Sequence, residues 1–177
     1  SAAYFIRLGG CDVGCHWCDV KESWPINAHP LESIDTLVAG VPTQCPIVVI
    51  TGGEPLMHNL KELTEKLQEA GFRTHIETSG AHPVSGTWDW FCLSPKKFKA
   101  PLEQSYILAQ ELKVIVYNKH DFDFAIEQAE KVSNDCVLLL QPEWSKREQV
   151  MPLMTAFVKE HPRWKITLQT HKYLGVP

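Results

Sequence analysis

Short apolar runs recur along the chain at residues 4–8, 47–51, 73–77, 90–93, 112–116, 137–141 and 165–169. Each is bounded by glycine, proline or polar residues, which predicts a strand, and the low polar content suits parallel strands covered on both faces. Between several of them the apolar period lengthens to that of a helix. Over residues 59–70, Leu60, Leu63, Leu67 and Ala70 share one face, with Asn59 placed to cap the start and Gly71 to close the end. The same spacing appears over 30–40 (Leu31, Ile34, Leu37, Val38), 121–132 (Phe124, Ala125, Ala129, Val132) and 147–160 (Val150, Met154, Phe157, Val158). Strand followed by helix, repeated, implies right-handed crossovers between parallel strands, in a doubly wound sheet or a barrel. An eight-unit barrel needs about 250 residues, more than the 177 present. The expectation is α/β, a partial barrel of (β/α)6 type, in a single domain over residues 1–177. No repeat, low-complexity tract or linker marks a second.

Composition narrows the partners. A net charge of −4 argues against affinity resting on phosphate backbones, which needs a basic face, so no nucleic acid is expected. No apolar run approaches the roughly eighteen residues that span a bilayer, and no basic segment followed by an apolar stretch opens the chain, so a cytoplasmic protein without membrane contact is expected. The chain enters a strand almost at once, which suggests a further N-terminal segment before Ser1.

Of six cysteines, Cys45, Cys92 and Cys136 sit beside apolar, strand-like segments, whereas Cys11, Cys15 and Cys18 fall within eight residues directly after the first strand. That clustering favours metal over bridges. Spacing of the form C-x3-C-x2-C lets three thiolates converge from one loop, and thiolate sulfur suits iron–sulfur clusters and zinc. Structural zinc wants four ligands and no second cysteine pair follows, so zinc would need His16 or a distant histidine. A tetranuclear cluster with three protein ligands keeps one iron open for a chelating substrate or cofactor. Further polar groups stand at strand ends: Thr51-Gly52-Gly53-Glu54-Pro55, Glu77-Thr78-Ser79-Gly80, Ser94-Pro95-Lys96 and Gln141-Pro142. Alone, each can be an ordinary turn. Together with the cysteines they are expected at one barrel mouth.

The cysteine spacing after a strand, with Trp17 just before the third cysteine, resembles the radical S-adenosylmethionine superfamily. Adding Phe5-Ile6-Arg7-Leu8-Gly9-Gly10, Cys18-Asp19, the strand-end motifs and the ending Gln169-Thr170-His171-Lys172-Tyr173-Leu174-Gly175-Val176-Pro177, the chain resembles the 7-carboxy-7-deazaguanine synthase family from end to end. The resemblance implies a [4Fe–4S] cluster, S-adenosylmethionine and magnesium. It implies a reaction in which 6-carboxy-5,6,7,8-tetrahydropterin loses a hydrogen atom to a 5′-deoxyadenosyl radical, contracts its ring and releases ammonia, within queuosine and 7-deazapurine synthesis. It also implies a homodimer and a flavodoxin or ferredoxin as electron donor.

By the same resemblance, Cys11, Cys15 and Cys18 hold the cluster. Trp17, Asp19, Gly53, Glu54, Thr78, Ser79, Ser94, Pro95, Lys96 and Gln141 meet the cofactor. Arg7, Thr51, His171 and the terminal carboxylate of Pro177 meet the substrate, Arg7 as a guanidinium fork on its carboxylate. Two departures stand out. Where the family has a threonine whose hydroxyl reaches magnesium, this chain has Val20, so the magnesium ligand is unassigned, and the family's glutamine- and glycine-rich substrate loop falls before Ser1. An activating enzyme for a glycyl radical protein and a non-catalytic metal-binding module are the rival readings.

Overall fold

The computed structural model describes residues 2–175. Its strands are β1 (Ala3–Leu8), β2 (Ile47–Gly52), β3 (Arg73–Thr78), β4 (Trp90–Leu93), β5 (Glu111–Val116), β6 (Val137–Pro142) and β7 (Trp164–Ile166). They form one seven-stranded sheet in sequence order, parallel at every junction. Among the described residues β1 and β7 are not paired, so the barrel is partial, as expected. The helices are α1 (Ile34–Ala39), α2 (Lys61–Glu69), α3 (Glu103–Leu108), α4 (His120–Ala129), α5 (Arg147–Glu160) and α6 (Thr170–Leu174).

The strands are not covered on both faces. Their burial alternates, in β3, β5 and β6 without a break, because only one face carries helices. On that face Val48, Ile50, Leu93, Leu112, Val116 and Leu140 are fully buried against Leu67 of α2, Ala125 of α4 and Met154 of α5. The other face lines the barrel interior and carries Arg7, Thr51, Glu77, Lys113 and Gln141. Inside apolar-looking strands, these polar residues at alternate positions line the cavity.

Several boundaries differ from the sequence pattern. The helix expected over 30–40 begins only at Ile34, because Ser33 caps it by accepting from the Thr36 N–H at 3.1 Å, and Leu31 is left fully exposed. The N-cap of α2 is Leu60, without a side-chain cap; Asn59 stands one residue earlier and accepts from Lys61 N–H at 3.1 Å, and Gly71 follows the helix at φ +86°. The last strand ends at Ile166, not at 169, and α3 and α6, too short to show a period, were not predicted. The β3–β4 crossover has no helix. Asp89 instead ties it back, its carboxylate accepting from the Thr74 N–H at 2.8 Å.

Deleting buried apolar volume behind the sheet leaves a cavity that close packing cannot refill. Leu112→Ala is expected to cost about 2–5 kcal/mol, whereas Phe5→Ser, at an inward residue 60% exposed, should change stability by less than about 1 kcal/mol. Urea midpoints of the two variants check the contrast.

Candidate active site

At the C-terminal ends of the strands lies a cavity of about 370 Å³. The ladder between β1 and β2 is continued beyond both strands by Gly53 N–H donating to the Leu8 carbonyl at 3.0 Å and Glu54 N–H donating to that of Gly10 at 2.8 Å. This lays the Gly53 backbone against the cysteine loop. A Cβ at Gly53 would fall 2.3 Å from the Gly10 oxygen and 2.8 Å from Cys11 Cβ, so no side chain fits. Gly10 turns the chain into the loop at φ +102°, a conformation glycine adopts without a steric penalty. Its N–H donates to the Ser23 carbonyl at 2.7 Å.

The loop is pinned from the opposite side by Asp12. Its carboxylate accepts from Lys99 at 2.7 Å and meets His82 Nε2 at 2.9 Å. These contacts, Lys99 first, hold the Asp12 carboxyl below the usual range.

Cys11, Cys15 and Cys18 all line the cavity and all three are free thiols. Among the described residues, no three His, Cys, Asp or Glu side chains gather tightly enough for a single metal ion. His16 is no fourth ligand here: it stands outside the lining, edge-on to Phe98 and Tyr117 at 5.5 and 5.4 Å. A four-iron cluster binds each thiolate at a different corner, so three soft donors spread along one cavity wall suit it better than they suit zinc. Burial pushes the Cys15 thiol up to about 11 and raises Cys11 as well. The half-buried cation of Lys96 works against that at Cys15, which favours the thiolate.

Glu54 is 1% exposed and fully engaged. One carboxylate oxygen accepts from Leu56 N–H at 3.0 Å and from the Thr78 hydroxyl, the other from Ser79 N–H at 2.8 Å and the Ser79 hydroxyl at 2.5 Å. These three residues brace the end of β2 to the end of β3. Lys96 bonds both the carbonyl and the hydroxyl of Ser94, the latter at 2.7 Å, and burial lowers its pKa.

Arg7 and Thr51 are register partners on β1 and β2. Among the described residues the Arg7 guanidinium makes one hydrogen bond, donating to the Gly52 carbonyl at 3.5 Å, and it lines the cavity. Across the opening lies α6, which carries His171. It is held down by Asp19, whose carboxylate accepts from Gln169 at 2.8 Å and from Lys172. Burial alone would raise the Asp19 carboxyl, but those two donors outweigh it and leave it lowered. Trp144 backs the helix, with Tyr173 edge-on at 5.1 Å and the Arg147 guanidinium 4.3 Å from its ring.

The structure thus brings together Arg7, Cys11, Cys15, Trp17, Cys18, Asp19, Thr51, Gly53, Glu54, Thr78, Ser79, Ser94, Lys96, Gln141 and His171 around one cavity. Pro95 is buried outside the lining, and Pro177 lies outside the described residues. Sequence reasoning passed over Lys113, which reaches into the cavity from the middle of β5. Its signal was a charge at every second position in Glu111-Leu112-Lys113. For magnesium the fit is poor. Val20 lines the cavity without a side-chain oxygen, and the neighbouring Asp19 carboxylate is already bonded to Gln169 and Lys172, so neither offers magnesium a free side-chain ligand.

Residues 5–95 match the Radical SAM superfamily, and with three thiols at the strand ends of a partial barrel the class is that of radical S-adenosylmethionine enzymes. The chain is 55% identical over 177 residues to 7-carboxy-7-deazaguanine synthase of Flavobacterium psychrophilum, covering 100% of this chain and 84% of that protein. It is 51% identical over 175 residues to the synthase of Synechocystis sp., covering 98% and 84%. A crystal structure of QueE from Escherichia coli superposes with a TM-score of 0.79 at 33% identity, over 94% of this chain and 85% of that one. The chain belongs to the 7-carboxy-7-deazaguanine synthase family. No helix among the described residues is long and apolar enough to cross a membrane.

Gly53→Ala forces the Gly10–Cys11 segment to move, an overpacking cost of about 1–3 kcal/mol placed directly at the first cysteine of the loop. The expected outcome is less iron per chain after anaerobic reconstitution, with an unchanged far-ultraviolet circular dichroism spectrum. Iron content equal to that of the unaltered protein would contradict the close approach.

Proposed function

We propose that this chain is a radical S-adenosylmethionine lyase that converts 6-carboxy-5,6,7,8-tetrahydropterin into 7-carboxy-7-deazaguanine and ammonia, a step in 7-deazapurine and queuosine synthesis. The observation that carries the reading is the meeting of the three-cysteine loop, Arg7, Thr51 and His171 at one cavity. Family membership sets aside the activating-enzyme and metal-module readings.

When bound, the [4Fe–4S] cluster and S-adenosylmethionine supply the electron and the 5′-deoxyadenosyl radical. The chain's own residues position and screen. Cys11, Cys15 and Cys18 hold the cluster, and the Gly53 backbone, open on its cavity side, takes the methionine end of the cofactor. Glu54, Thr78 and Ser79 act there as one braced unit: their mutual bonds keep the strand ends fixed while their outer atoms face the ligand. Lys96 and Ser94 present polar groups from the end of β4 and Gln141 from β6, while Trp17 and Asp19 flank the adenine side.

For the substrate, Arg7 offers two parallel N–H donors to the planar carboxylate. Thr51 beside it offers a hydroxyl. Glu77 presents one carboxylate oxygen to the N–H-rich pterin, and α6 covers the opening, bringing His171 over the ring and excluding water. An external flavodoxin or ferredoxin provides the electron. Assembly as a homodimer belongs to the same reading, supported by exposed apolar side chains on α3, Ile107 and Leu108.

Anaerobic turnover of the reconstituted protein, followed by the mass of the deazapurine product, tests the assignment. Arg7→Lys keeps the charge but loses the fork, and should lower kcat/KM for the pterin about 10- to 100-fold, the equivalent of one charge-assisted hydrogen bond of about 1.5–3 kcal/mol. Cleavage of S-adenosylmethionine without deazapurine from the unaltered chain would reject the substrate assignment.

A further inference from the structure

We infer that Lys113 is a positioning residue for the reaction: from inside the barrel it holds Glu77 as an ionised acceptor facing the substrate. This rests on the reading above, in which Glu77 meets the pterin.

Lys113 Nζ lies 2.5 Å from Glu77 Oε1, with the lysine side chain 12% exposed and the glutamate 37% exposed, toward the cavity. Among the described residues the second carboxylate oxygen of Glu77 has no hydrogen-bond partner, and that oxygen is the one left for a ligand. Glu77, Cys92 and Glu111 lie in register across β3, β4 and β5. The Cys92 thiol donates to Glu111 at 3.2 Å, and Trp90 Nε1 donates to the same carboxylate at 3.1 Å. Glu111 is thereby occupied with the lower layer, and Lys113 is left to Glu77.

The charged and titratable groups facing Glu77 are Arg7 from β1, Cys92 and Lys96 from β4 and its following turn, and Lys113 from β5, with Glu111 acting on Cys92 and Lys113. Burial by itself favours the neutral acid. Lys113 is the first of the cations opposing it, ahead of Lys96 and Arg7, and the balance leaves Glu77 below the usual carboxylate value and Lys113 above the usual ammonium value. Glu77 is therefore ionised throughout the neutral range while Lys113 is in place. Without the ammonium, the carboxyl takes up a proton at higher pH and an acceptor becomes a donor.

The test is the pH dependence of kcat/KM for 6-carboxy-5,6,7,8-tetrahydropterin in the reconstituted holoenzyme. Lys113→Met should move the acid limb up by about one pH unit or more, and Lys113→Arg should return the limb toward its original place. If Lys113→Met does not fold, Lys113→Gln, whose amide donates to Glu77 without charge, should show the same upward move. An acid limb that stays put in the folded variant, whatever the rate, overturns the inference. Glu77→Gln separates the two ideas: it should lower kcat/KM and abolish that limb. Unchanged kcat/KM in Glu77→Gln would instead reject the reading that Glu77 meets the substrate.

Discussion

The site depends on the continuation of the β1–β2 ladder past the ends of both strands. Two backbone hydrogen bonds, from Gly53 to Leu8 and from Glu54 to Gly10, carry the rigidity of a parallel sheet into the loop that bears the thiols. A loop of this kind is ordinarily mobile. Here it is made an extension of the sheet, and Asp12 pins its other side to Lys99 and His82. Because the contact at Gly53 is closer than any Cβ allows, the glycine is required by the approach of two chains and not by its dihedral freedom. The neighbouring Glu54 then transmits the same order to the end of β3 through Thr78 and Ser79, so three successive strand ends are locked relative to one another before any ligand arrives.

Electrostatics follows from the one-sided packing. With helices on only one face of the sheet, the inner face accommodates charges that a fully covered parallel sheet could not. There Glu77 pairs with Lys113, and outside the sheet Asp12 pairs with Lys99 and Asp19 with Lys172. Each pair leaves something over for chemistry: a free carboxylate oxygen, a fixed cluster loop, a closed terminal helix. Each pair keeps at least one partner more than a third exposed, so its contribution to stability is small. The pairs are best understood as holding geometry.

Much of this was legible in the sequence, for identifiable reasons. All seven strands were placed by their apolar runs, and the cavity residues were found because parallel strands in a barrel deliver their C-terminal ends to one mouth. Cys11, Cys15 and Cys18 were legible from spacing alone. Lys113 was not, because a strand that looks apolar on average hides a charge at an inward position unless the period of two is followed residue by residue. The clamp at Asp12 was hidden because His82 and Lys99 lie 70 and 87 residues away in sequence. Helices α3 and α6 are too short for a helical period, and the first residues of the 30–40 helix were misassigned because Leu31 fits the spacing while Ser33 sets the start.

The central claim is that the thiols of one short loop hold a four-iron cluster with a corner left for S-adenosylmethionine. Electron paramagnetic resonance of the reconstituted, reduced protein with and without S-adenosylmethionine tests it directly. A reduced [4Fe–4S] signal whose g-values move when S-adenosylmethionine is added is expected, as is its loss in Cys15→Ala. A colourless protein containing zinc, or a cluster whose signal ignores S-adenosylmethionine, would contradict it.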